Sequence, residues 1–190
     1  MFFRKKVNEL EIFKCAQGDI VPIENVPDSV FADKLLGDGI AINPSNGEII
    51  SPVDGQVVMI QDSLHAIGIQ SEDGIEILIH VGLDTVELKG EGFVKKVNIN
   101  DRVNKGQPIV CFDKEMIEEK GYNMITMMIV VNDERISKLE KGDQLDKLLI
   151  KVQCNNKTVA ICEPLQSFCI LKKQNLTIHF EYKKDYRKYN

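Results

Sequence analysis

From residue 19 to residue 163 the chain meets a Gly, Pro, Asn or Asp break every 8–12 residues. The breaks include Gly37-Asp38-Gly39, Asn43-Pro44-Ser45-Asn46-Gly47, Pro52-Val53-Asp54-Gly55, Asp73-Gly74 and Asn104-Lys105-Gly106. Between them lie short runs rich in Val and Ile, at 55–60, 66–70, 75–81 and 108–112. Segments this short cannot form long amphipathic helices. They suit strands joined by tight turns, because Gly, Asn and Asp supply the backbone angles that such turns need. The spacing predicts an all-β fold, an antiparallel sandwich or small barrel. Two stretches read as short helices, 29–36 and 133–139, and 115–120 reads as one further turn.

Around this body the sequence predicts an N-terminal arm over 1–18 and a C-terminal extension over 164–190. Within the extension, Leu176, Ile178, Phe180 and Tyr182 alternate with polar residues, an edge-strand pattern. The extension carries a net charge of +4 within a chain of net charge −5. An acidic body disfavours nucleic acid as a partner. No apolar run reaches the 18 or more residues of a membrane span. The five cysteines are scattered, with no C-x-x-C pair, unlike a disulfide framework or a zinc ribbon. A reducing, cytoplasmic setting is the expectation.

The chain holds three histidines, two of which flank one predicted hairpin. His65 precedes the run 66–70 and His80 is near the end of the run 75–81. A two-residue loop formed by Asp73-Gly74 or by Glu72-Asp73 places the two imidazoles on one face, since side chains alternate with period two. They are then diagonal or directly opposite, at about 7–8 or 4.5–5.5 Å between Cβ atoms. A bulge would break that inference. Histidines at strand ends often merely pack there. Two on one face can share a proton, a metal or reactive chemistry, but they fall short of the four ligands of a closed zinc site.

The segment Gly74-Ile75-Glu76-Ile77-Leu78-Ile79-His80-Val81-Gly82-Leu83-Asp84-Thr85-Val86 resembles the signature around the phosphorylated histidine of glucose-type enzyme IIA domains of the sugar phosphotransferase system. Collinear blocks at 26–42, 51–55, 63–66, 86–93 and 104–107 resemble the same family, so the likeness covers about 19–163. It implies a flattened antiparallel β-sandwich, a barrel-sandwich hybrid with a few short helices. It implies that His80 takes phosphate on Nε2 from the carrier HPr and yields it to a cysteine of an enzyme IIB domain. His65 would be the auxiliary residue that hydrogen-bonds the phosphoryl oxygens, with Ser63 supplying a supporting hydroxyl. Asp28 and Asp84 would meet basic residues of partners, inside an apolar rim of Val30, Phe31, Leu78 and Val86. No cofactor is obligatory. In complexes with regulated permeases or kinases, His65 and His80 with a partner carboxylate would form a zinc site.

This sequence departs from the family pattern at Gln61 and Ser29, which are more polar than that rim, and at Leu64, an unusual neighbour for the auxiliary histidine. Asp28 also reads as a helix cap, and Asp84 as a turn residue. Three other functions compete. A biotinyl or lipoyl carrier shares the turn chemistry but needs an exposed acceptor Lys flanked by Met, Asp or Ala, a tripeptide missing here. A lysostaphin-type zinc peptidase needs further ligands, and only His179 is left. A regulatory binding protein on the enzyme IIA scaffold is the third.

Overall fold

A computed structural model describes residues 8–131, 136–142 and 150–154. Thirteen strands occur among these residues, and every pairing between them is antiparallel. The largest sheet has seven strands. They are β2 (Gly18–Pro22), β3 (Gly37–Pro44), β11 (Thr126–Val131), β7 (Glu76–Val81), β6 (Ala66–Ser71), β5 (Gly55–Ile60) and β9 (Arg102–Val103), in that spatial order. Three strands make a second sheet, in the order β4 (Glu48–Ile50), β10 (Pro108–Phe112) and β8 (Phe93–Lys95). A third consists of β1 (Asn8–Ile12), β13 (Ile150–Cys154) and β12 (Ile136–Lys141). The antiparallel sandwich read from the turn spacing is the fold found.

One residue in two from the seven-stranded sheet feeds a core shared with the second sheet. Ile40, Met128, Ile79, Ile67 and Ile60 form a continuous row across five strands. They pack in one cluster with Ile49, Phe93, Ile109, Val110 and Phe112. The opposite face carries Ala41, Met127, His80 and Ala66 in one row and Gly39, Ile129, Leu78 and Gly68 in the next. Met127 and Ile129 are fully buried on that side too, which is why β11 is apolar from Met127 onward rather than alternating.

The segment read as an arm contributes to this body. β1 pairs with β13, and Ile12, Cys15 and Ala16 are buried in the main core. Burial pushes the Cys15 thiol up to about 12, so it is an inert packing group. Helix 29–36 is shorter than read: α1 covers only Ser29–Ala32, and Lys34 already takes a left-handed φ of 56°. The turn at 115–120 is α2 (Lys114–Glu119), capped by Asp113.

The expected helix at 133–139 is corrected: residues 136–141 form strand β12. Asp and Asn capping chemistry at its start suggested a helix. A bulge between Ile136 and Lys138 shifts the register, so Ile136 and Leu139 pair with residues two apart on β13 and share one face. The expectations for 164–190, including the strand at 176–182, lie outside the described residues.

Candidate functional site

His80 sits in β7 between Ala66 of β6 and Met127 of β11. Its neighbours in the row are thus a small residue and a flexible apolar one. Beyond Val81 the chain turns sharply at Gly82, with φ of 76°, a conformation open to Gly and strained for other residues. The turn is anchored by Gly82 N–H donating to Ile125 O (3.1 Å) and Leu83 N–H to Asn123 O (2.8 Å). Buried Thr85 donates its hydroxyl to Val81 O (2.5 Å). This arrangement points the Gly82 carbonyl at His80, where Nδ1 lies 3.0 Å away and donates to it. The remaining nitrogen, Nε2, is left with its lone pair.

His65 lies just before β6 and is buried at 4% exposure. Its ring stands edge-on to that of His80, with centroids 4.8 Å apart and planes at 82°. Ser63 Oγ holds its Nδ1 at 2.6 Å. Phe31, from α1, covers His80 from another side, centroid to centroid 5.1 Å. Burial lowers both imidazole pKa values. His65 is pushed down to about 4 by desolvation. His80 is pushed down to about 3, chiefly by desolvation and secondarily by His65, against a smaller opposing effect of the Gly82 hydrogen bond. Both rings are therefore neutral at pH 7, the state in which imidazole is a nucleophile.

The two histidines meet, but not by the route read from the hairpin. The observed register pairs Ala66 with His80 and Gln70 with Glu76, which corresponds to neither two-residue loop. The loop has three residues, Glu72, Asp73 and Gly74. Ser71 N–H donates to Ile75 O and Gly74 N–H to Ser71 O, both 2.8 Å, with Gly74 left-handed at φ 78°. In that register, strict alternation sends residue 65 to the face opposite His80. His65 escapes because it stands outside the strand.

Of the expected rim, Phe31 and Leu78 are buried at 5% and 4%. Strand alternation puts Leu78 on the same face as His80, opposite Gly68, so these two side chains floor the site rather than rim it. Val30 is half-buried and Val86 exposed. Asp28 caps α1, its Oδ1 accepting from Val30 N–H at 2.8 Å. Asp84 is exposed in a left-handed conformation at the start of the 3-10 turn Thr85–Leu88. Ser29 is exposed, and Gln61 is half-buried with its N–H donating to Ala66 O at 3.0 Å. Thr85 and Met127 were not singled out from the sequence. Thr85 lay unremarked inside the signature, and Met127 lay in a Met cluster that reads as ordinary core.

Among the described residues no group of three or more His, Cys, Asp or Glu side chains is placed to hold a metal ion. His65 and His80 each have Nδ1 occupied, leaving two nitrogens where a closed site takes four ligands.

An antiparallel β-sandwich that presents a neutral imidazole, its tautomer held by a backbone carbonyl, beside a second one can carry a transferable group on its free nitrogen. Residues 10–136 match the family model described as phosphoenolpyruvate-dependent sugar phosphotransferase system, EIIA 1. The chain belongs to that family and is a phosphocarrier of sugar uptake, a phosphotransferase. It is 46% identical to the glucose-specific EIIA component of Buchnera aphidicola subsp. Acyrthosiphon pisum over 141 residues, covering 74% of this chain and 86% of that one. The glucose-specific EIICBA component of Staphylococcus saprophyticus is 40% identical over 151 residues, 78% of this chain but 22% of the larger protein. The structure of glucose permease IIA from Mycoplasma capricolum superposes with a TM-score of 0.66 at 32% identity, covering 80% of this chain and 98% of that one. No helix among the described residues is long and apolar enough to cross a membrane.

Proposed function

We propose that His80 accepts the phosphoryl group from phosphorylated HPr and passes it to the cysteine of an EIIB domain, with His65 as helper. The observation that carries this reading is the bond from His80 Nδ1 to Gly82 O at 3.0 Å. It holds the ring proton on Nδ1 and so keeps the Nε2 lone pair for attack. In the first transfer Nε2 attacks phosphorus in line as the P–N bond to the HPr histidine breaks. In the second, the EIIB thiolate attacks, and the P–N bond to His80 breaks. The proton on His80 Nδ1 stays in place throughout.

His65 acts from beside the acceptor. Ser63 Oγ lies 2.6 Å from its Nδ1; when that hydroxyl donates, the proton of the neutral ring is on Nε2, free to donate to a phosphoryl oxygen. A phosphoryl transfer asks little more of a protein than positioning and such donors. The buried apolar floor of Phe31, Leu78 and Met127 keeps water from the N–P bond. Asp28 and Asp84 face basic residues of the partners, and Val30 and Val86 supply apolar contact. The exchange takes place in the cytoplasm, at the permease's inner face for the second step. The names of the relatives make a glucose-type EIIB the first acceptor to try.

The test is incubation with enzyme I, HPr and phosphoenolpyruvate, followed by mapping of the acid-labile phosphate. Label on His80 is expected. Label on His65 alone, or none on either, rejects the assignment.

A further inference from the structure

The hairpin register leaves His65 with a problem that the turn before it solves. Val81 N–H donates to His65 O at 2.7 Å, so the backbone of residue 65 stands across from Val81. Residues 67, 69, 79 and 81 on these two strands all point into the main core. By strand alternation residue 65 belongs with them. Its ring instead lies 4.8 Å from that of His80, on the other face.

The reversal occurs directly after Leu64, which has a φ of 59°. Left-handed backbone is uncommon for any residue with a Cβ, and Gly, Asn and Asp are the usual occupants. Here the conformation is fixed from both sides. Leu64 N–H donates to Gln61 O at 2.8 Å, and Gln61 N–H to Ala66 O at 3.0 Å, closing the turn. The Leu64 side chain packs against the main core cluster, which anchors the turn from within. Ser63, on the other side of Leu64, is thereby brought back to His65 Nδ1 at 2.6 Å.

From this geometry we infer that Leu64 is a positioning residue for phosphoryl transfer: its left-handed backbone turns His65 out of the strand alternation and sets it beside His80. The inference rests on the reading of His65 as helper to His80, and the experiment separates the two.

In the full chain, Leu64→Asn and Leu64→Val oppose backbone against packing. Asn tolerates the left-handed region but loses the apolar anchor. Val keeps an apolar side chain, but its branched Cβ is hostile to positive φ. Two readouts apply: the nuclear Overhauser contact between the two imidazoles, and the rate at which phosphorylated His80 delivers to an EIIB domain. Leu64→Asn should keep the contact and a rate close to wild type. Leu64→Val should lose the contact and slow delivery about 10²-fold, the scale of a misplaced group. The opposite order, with Val retaining both and Asn losing both, makes Leu64 a packing residue and overturns the inference. Should Leu64→Val not fold, Leu64→Gly, which adopts the same φ freely, must keep contact and rate, and their loss is equally fatal. A wild type that takes no phosphate on His80 sinks the functional reading alone, because the contact between the rings still decides the role of Leu64.

Discussion

His65 and His80 meet edge to face, with centroids 4.8 Å apart, yet only His80 has its Nδ1 committed to a backbone carbonyl. On the proposed mechanism that asymmetry divides the labour between them. His80→Gln would then remove the nucleophile and should abolish acceptance from HPr. His65→Gln retains one N–H donor, so His80 should still be phosphorylated. An amide cannot take up positive charge as the second transfer proceeds, so delivery to EIIB should slow about 10²–10³-fold, as for loss of one transition-state donor. Rapid-quench measurement of each half-reaction checks this, and equal losses of acceptance in both variants contradict it.

The depressed pKa values give the protein a distinctive acid response. In the folded state His65 and His80 stay neutral down to about 4 and about 3, whereas in the unfolded chain both protonate near 6.5. The unfolded state therefore binds more protons below pH 6.5, and stability falls with falling pH. Each histidine contributes a slope approaching about 1.4 kcal/mol per pH unit. Between pH 6.5 and roughly 5.5, above the carboxylate range, this slope is attributable to the histidines. Urea titrations across that window should show it in the wild type, and the double variant His65→Gln, His80→Gln should flatten it. Acceptance of phosphate, needing only neutral His80, should remain level from pH 8 to pH 5 when HPr is supplied already phosphorylated.

Much of this was legible in the sequence, and the failures are instructive. Turn chemistry located the strands because Gly, Asn and Asp punctuate them: β5 and β10 fall on the runs read at 55–60 and 108–112. Register was not legible. A three-residue loop and a two-residue loop use the same Ser71-Glu72-Asp73-Gly74 letters, and only the Ser71–Ile75 pairing distinguishes them. The parity argument therefore predicted the right neighbours from the wrong pairing, since a backbone reversal at Leu64 offset the error. The helix read at 133–139 failed because Asp and Asn serve turns as well as helix caps, and residues 136–141 form a strand. The family motif carried the family assignment where local pattern could not.

Gly82 is another point where backbone geometry orients a histidine. A Cβ there would lie 2.5 Å from Thr85 Cγ2 and 3.0 Å from Asn123 O, in addition to the strain at φ 76°. Gly82→Ala should cost about 1–3 kcal/mol of stability. It should also displace the carbonyl that holds His80 Nδ1, raising the share of the other tautomer. Nitrogen chemical shifts of the His80 ring report that share directly. A variant with wild-type shifts and stability would show that the turn is not what fixes the tautomer.

Asp28 offers a way to separate a structural role from a recognition role within one side chain. Its Oδ1 accepts from Val30 N–H at 2.8 Å and so starts α1, the short helix that presses Phe31 against His80. Asp28→Ala deletes the cap and should cost about 1 kcal/mol, lowering Tm by roughly 2–4 °C for a body of this size. Asp28→Asn keeps an acceptor oxygen and should leave Tm close to wild type, but it removes the charge offered to basic residues of HPr. Association with HPr should then slow in the Asn variant at low salt and converge with wild type as salt screens the remaining charges. If Asn melts as early as Ala, the carboxylate is not acting through its cap; if Asn associates at the wild-type rate at every salt concentration, Asp28 has no part in steering the partner.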